Sequence, residues 1–143
     1  MKRTIITAAA VALLAAPAIA SAGLSTDTSP ASSARGGQLS IGFEVFREGN
    51  QPVGVDNFNV KRLRIDCRQG TRLLNFTLNV PGDPYFPVND RDRFRATGEN
   101  ANSAVRITGE FVTNRKVEGR IKAEGDFGRG AKNCEGSAPY VAR

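Results

Sequence analysis

From Gln38 onward the apolar residues of this chain fall at every second position, and that spacing leaves little choice of fold. A period of two puts successive side chains on opposite faces of an extended strand. Leu39, Ile41, Phe43 and Val45 share one face before Glu48-Gly49-Asn50, with Pro52 just beyond, marks a turn. The pattern returns in Leu74, Phe76, Leu78 and Val80, in Val105, Ile107, Gly109 and Phe111, and in Val117, Gly119, Ile121 and Ala123. After the first segment, no stretch sustains the i, i+3, i+4, i+7 spacing of an amphipathic helix. About seven short strands separated by turn signals predict an all-β domain, a small antiparallel β-sandwich or barrel.

The alternation breaks once in a telling way. Phe58 and Val60 occupy even positions, whereas Leu63, Ile65 and Cys67 occupy odd ones, so the parity changes at Lys61-Arg62. A β-bulge or strand break is predicted there. Arg68-Gln69-Gly70-Thr71 then turns the chain, which makes Leu63 to Cys67 and Leu73 to Val80 hairpin partners. Gly98 to Asn102 is a loop, Thr113-Asn114-Arg115-Lys116 closes a second hairpin, and Cys134 to Ala142 forms the last strand. Pro81 to Asn89 is irregular.

The first 22 residues have a different character. Lys2 and Arg3 precede an Ala/Leu/Val stretch from Ile5 to Ile19 and two overlapping small-x-small patterns ending at Ala20 and Ala22. These are the three parts of a secretory signal peptide, so export and cleavage are expected, with no membrane span in the mature chain. Residues 23–37, GLSTDTSPASSARGG, are too poor in apolar side chains to order themselves and read as a disordered Ser/Thr/Ala-rich spacer. A single domain over 38–143 follows. Of 20 basic residues, Lys2 and Arg3 leave with the signal; against 14 acidic residues the net charge falls from +6 to about +4. The two signs are interspersed, which does not favour specific nucleic-acid binding.

Cys67 and Cys134 are the only cysteines, and in an exported chain they read as one disulfide. Their spacing is not that of a C-x-x-C redox motif. With no histidine, the usual zinc ligand sets cannot be assembled, nor can Ser-His-Asp or Cys-His nucleophilic sites.

Three sets of motifs run together from Phe58 to the end: Cys67-Arg68-Gln69-Gly70; Gly109-Glu110-Phe111 with Val117-Glu118-Gly119-Arg120-Ile121; and Cys134-Glu135-Gly136 through Tyr140-Val141-Ala142-Arg143. In this outline the chain resembles a group of small exported bacterial disulfide-bonded β-domains of uncharacterised function. The resemblance implies the fold and the bridge, carried by structural glycines, aromatics and cysteines, and it implies no activity. The chain departs from it in a longer, proline-richer middle loop and at Tyr140, where tryptophan is more usual.

Candidate binding residues fall in two places. Arg62 and Arg64, with Arg68 beyond, alternate in one strand, and Arg91, Arg93 and Arg95 in another, with Arg72 and Arg106 as further members. Residues two apart share a face. If both rows share one face they form an anion-binding patch, for which the guanidinium fork is well shaped; otherwise they are solvated and partly neutralised by Asp66, Asp90 and Asp92. The second place is the loop over 81–92, where Tyr85 and Phe86 either form an exposed platform for a sugar ring or a protein, or plug the open end of the sandwich. Oxygens of Asn89, Asp90 and Asp92, with Asp83, suit calcium, but the spacing matches no EF-hand loop, so a plain turn is expected, and no metal or cofactor. Glu118, Glu124 and Asp126 alternate among Arg120 and Lys122, as ion-paired outer-face residues do. The expectation is a non-catalytic binding module of the cell envelope or extracellular space, contacting an anionic envelope polymer or a protein. The alternatives are a secreted inhibitor or accessory protein acting through the 81–92 loop, and a carboxylate-based hydrolase.

Overall fold

A computed structural model describes residues 25–33 and 39–143. The expected signal peptide over 1–22 lies outside the described residues. Nine strands follow in order: β1 (Ser25–Ser33), β2 (Ser40–Glu48), β3 (Gln51–Cys67), β4 (Gly70–Leu78), β5 (Phe86–Pro87), β6 (Arg93–Glu99), β7 (Ser103–Thr113), β8 (Lys116–Gly125) and β9 (Cys134–Ala142). All pairings are antiparallel, and the hydrogen-bonded path runs β1-β2-β3-β9-β8-β7-β6, with β4 and β5 joined to β3. The sheet curls into a half-barrel, as the alternation predicted.

β3 is the member that makes this curl. One of its edges pairs with β2 from Gln51 to Lys61 and then with β9 at Asp66↔Glu135. The other pairs with β5 at Gly54 and Val55 and with β4 from Phe58 to Cys67. The register slips between Val60 and Leu63, where Arg62 takes φ 62°. This is the bulge that the parity change predicted. The Arg62 backbone N–H, displaced from the ladder, donates to Asn75 Oδ1 at 2.7 Å. A second slip, against Gly42 and Glu44 of β2, accompanies Asn57 at φ 52°.

Because the sheet curls, the inner faces of its two halves meet. Phe43 of β2 lies 5.1 Å from Phe58 of β3, 5.9 Å from Phe94 of β6 and 6.5 Å from Tyr140 of β9, ring centre to ring centre. Ile41, Val60, Leu63, Ile107 and Ile121 are fully buried around these rings. A second row explains two glycines. Phe94, Gly109, Gly119 and Tyr140 are directly opposite one another across β6, β7, β8 and β9. The Phe94 ring covers Gly109, the Tyr140 ring covers Gly119, and the Tyr140 hydroxyl donates to the Thr108 carbonyl at 3.0 Å. A methyl group on Gly119 would overlap both that carbonyl oxygen and the ring. Burial raises the pKa of the Tyr140 hydroxyl far above its ordinary value, so it stays a neutral donor.

Two features depart from the sequence reading. Ser25–Ser33, taken from its composition as part of a disordered spacer, forms a strand along β2. Strand pairing draws on backbone N–H and C=O groups that even a polar segment supplies, and β2 offers a free edge. The ladder slips between Ser29 and Ser32, around Pro30, which has no N–H to give. In β4, Leu74 and Phe76 face inward as expected but are only half-buried.

Cys67 and Cys134 form the expected disulfide. It lies one position beyond Asp66↔Glu135, the single ladder pair between β3 and β9. The bond suits an oxidising compartment outside the cytoplasm, and among the described residues no helix is long and apolar enough to cross a membrane. The bridge closes a 67-residue separation, which on the chain-entropy model corresponds to about 4 kcal/mol. Replacing both cysteines by alanine is expected to lower stability by about that amount, measured by urea unfolding of the two forms. Gly119→Ala should cost about 1–3 kcal/mol through overpacking, read as a fall in the thermal midpoint.

Candidate anion-binding surface

Strand register decides which charged side chains meet on the outer face of β6 to β9. Buried Phe94, Ala96, Ile107, Ile121 and Tyr140 point inward, so their neighbours in sequence point out. Arg95 stands opposite Thr108, Thr108 opposite Arg120, and Arg120 opposite Pro139. In the adjacent outward row Thr97 faces Arg106, Arg106 faces Lys122, and Lys122 faces Ser137. Four cations, Arg95, Arg106, Arg120 and Lys122, therefore occupy two neighbouring rows on three strands, edged by the hydroxyls of Thr97, Thr108 and Ser137. Opposed positions lie about 5 Å apart and successive rows about 7 Å apart.

Acidic rows border this strip on both sides. On one side Glu110 and Glu118 are opposed, and Arg93 at the edge is bound to Glu110 with Nε to Oε2 at 3.0 Å. On the other side Glu99, Glu124, Glu135 and Asp66 follow one another across the register, with Ala104 between the first two. Within the strip, Lys122 lies 3.4 Å from Glu124, and Arg120 Nη1 donates to Ser137 Oγ at 2.9 Å. Arg95 and Arg106 have no ion-pair partner among the described residues. Like charges directly opposed in a sheet repel, by about 1 kcal/mol at 5 Å in water. Arg106 and Lys122 are opposed in this way, with the Lys122 charge also 3.4 Å from Glu124.

The expected arginine rows are placed apart. Arg62 and Arg64 are exposed on β3, with Arg64 loosely paired to Asp66 at 3.9 Å. Arg93 and Arg95 belong to β6, which is separated from β3 along the hydrogen-bonded path by β9, β8 and β7. The two rows therefore share no run of directly paired strands. Arg91 sits in a turn before β6, and Arg93 is neutralised by Glu110. Of the expected residues only Arg95 joins the strip. Arg106 was named as a further member; Arg120 and Lys122 were read as partners of acids. Their outward parity was legible, but their alignment with Arg95 and Arg106 depends on cross-strand register, which no single strand reveals.

The aromatic loop is part of the core. Phe86 is buried, with its ring 6.2 Å from Phe58, because β5 pairs with Gly54 and Val55 and turns that side chain inward. Tyr85 is half-buried against Phe46 at 5.2 Å, over the bare Cα of Gly54. An exposed platform of both rings is thus not formed. Asn89, offered above as a calcium ligand, spends its Oδ1 on the backbone N–H groups of Arg91 and Arg93. Among the described residues no three carboxylate, cysteine or histidine side chains gather in metal-binding geometry.

The acids weighed for hydrolysis are also engaged. Glu118 pairs with Lys116 at 2.6 Å and Glu124 with Lys122. Asp126 accepts the Asn133 N–H at 2.8 Å and lies 3.4 Å from Lys132 Nζ. The Asn133 bond first, and then Lys132, hold its carboxyl below the ordinary carboxylate value despite an opposing effect of desolvation. One buried cation was not foreseen. Arg47 continues the inward face of β2 and donates to the carbonyls of Asn50 and Asn114, linking the β2–β3 turn to the β7–β8 turn.

No family model, curated protein or solved structure matches this chain. Function must therefore be argued from the surface itself. The lowered Asp126 value has a testable sign: its contribution is present above the unfolded-state value and is lost as the pH falls below about 3.8 and through the lowered folded value. Exchange of the Asn133 amide, measured by NMR, should accelerate relative to neighbouring amides over that acid range, after correction for intrinsic rates.

Proposed function

We propose that this protein is an exported, non-catalytic binding module that holds an anionic polymer of the cell envelope or extracellular space on the outer face of β6 to β8. The observation that carries the reading is the direct opposition of Arg106 and Lys122 beside the Arg95, Thr108 and Arg120 row. A run of sulfate, phosphate or carboxylate groups laid across the strands removes the repulsion within the strip and takes guanidinium hydrogen bonds in return. Rigid strands hold these cations, so binding orders little beyond the side chains. The flanking acidic rows confine the polymer to the strip and oppose binding elsewhere. The amino-terminal signal-peptide pattern supports export, as does the disulfide.

The inhibitor reading has less support, since Phe86 fills the protein's own core and Tyr85 is half-buried. The test is binding to dextran sulfate and to polyphosphate, with uncharged dextran as control, by isothermal calorimetry at two salt concentrations. Affinity is expected to fall roughly ten-fold or more between 50 and 200 mM salt. Arg106→Ala with Lys122→Ala should weaken binding about ten-fold, and Arg62→Ala with Arg64→Ala should leave it unchanged. Equal loss in both pairs, or no binding of either polyanion at low salt, would overturn the assignment.

A further inference from the structure

Among the described residues four strands, β1, β4, β5 and β6, pair on one side only, and the three longer ones are not alike. β1 contains Asp27 and Pro30, and β6 contains Arg93, Arg95 and Glu99. Charges and prolines of this kind are the usual guards against strand-to-strand association. β4, Gly-Thr-Arg-Leu-Leu-Asn-Phe-Thr-Leu over nine residues, has a single charge, no proline and no internal slip in its ladder from Gly70 to Leu74. Among the described residues its second edge makes no backbone hydrogen bond. β6 comes near it only at the far end, where Leu78 lies against Gly98. Leu73, on the outer face of β4, is 50% exposed, and Leu74 and Phe76 on the inner face are only half-buried.

We propose that β4 is a self-association edge, on which two copies of this chain pair antiparallel and extend the sheet across a two-fold axis. The occupant follows from the order of residues along the strand. A two-fold axis at Leu74 puts Leu74 opposite Leu74 of the second copy and Arg72 opposite Phe76 of the second copy on the inner face. On the outer face it puts Leu73 opposite Asn75 and Thr71 opposite Thr77. An isologous contact needs this self-complementarity. Each guanidinium then lies over a ring of the other copy, a favourable cation–π pairing. The two Arg72 charges are four residues apart along the strands, about 14 Å, beyond the screening length of about 8 Å at physiological salt. Pairing β4 with β6 of another copy would instead leave Arg93, Arg95 and Glu99 opposite an apolar edge. The contact satisfies the free N–H and C=O groups of β4 and covers Leu73, Leu74 and Phe76 together.

The oxidised protein, followed by sedimentation equilibrium from micromolar to several hundred micromolar, is expected to rise from one chain mass towards two. Leu73→Arg replaces an exposed side chain, so the fold should persist, checked by an unchanged circular dichroism spectrum; it should raise the dimer dissociation constant about ten-fold or more. Val112→Arg, at another exposed apolar position (46% exposed), should leave association unchanged. Amides of β4 should exchange more slowly at high concentration, whereas those of β6 should not. A single chain mass throughout the range would overturn the proposal, as would a dimer weakened by Val112→Arg and indifferent to Leu73→Arg.

Discussion

A strand of seventeen residues cannot serve four neighbours while lying flat, and β3 meets the demand largely at two of its three register shifts, the bulges at Asn57 and Arg62. Each bulge places a residue that is not glycine in the left-handed region, Asn57 and Arg62, at a cost of about 1–2 kcal/mol. Both are held by side-chain bonds: Asn57 Nδ2 donates to Glu44 and the Arg62 N–H donates to Asn75. The return is a redirected edge. β2 accompanies β3 as far as Lys61, just before the second bulge, and β9 meets the same edge at Asp66. The two halves of the sheet can then face each other, and the Phe43, Phe58, Phe94 and Tyr140 rings fill the space between them.

The charged surface follows from the same geometry. Regular pairing over β6 to β9, continuous from Val117↔Ala142 to Gly125↔Cys134 between the last two strands, aligns outward residues into rows in which one sign dominates. The rows alternate acidic, basic and acidic, although the chain as a whole has only a modest excess of base. Position in the ladder, rather than net charge, makes the face distinctive.

Much of the fold was legible because parity is a local property. The bulge at Arg62 was visible as a change from even to odd burial, and the turns at Gly49-Asn50 and Asn114-Arg115 were visible in their residue types. The slip at Asn57 carries a parity change too, from odd Val53 and Val55 to even Phe58 and Val60, but only two apolar residues mark its first side. Phe86 was ambiguous because a two-residue strand has no period to read; its burial comes from pairing with Val55, far away in sequence. The basic strip was hidden for the same reason on a larger scale. Which arginine meets which lysine is set by two hairpin registers taken together, and a list of alternating arginines contains neither of them.

The cysteine positions bear on how the molecule is made. Residues 40–87 hold β2 to β5 and residues 93–142 hold β6 to β9, and within each block most pairings join neighbours in the chain. Short loops of this kind close cheaply and early. Besides the disulfide, a single ladder pair joins β3 to β9, and the aromatic contacts between the blocks are all distant in sequence. Cys67 belongs to one block and Cys134 to the other. The native bond can therefore form readily only once the blocks have docked, so its oxidation is a chemical record that assembly has reached completion, and it holds that arrangement from then on.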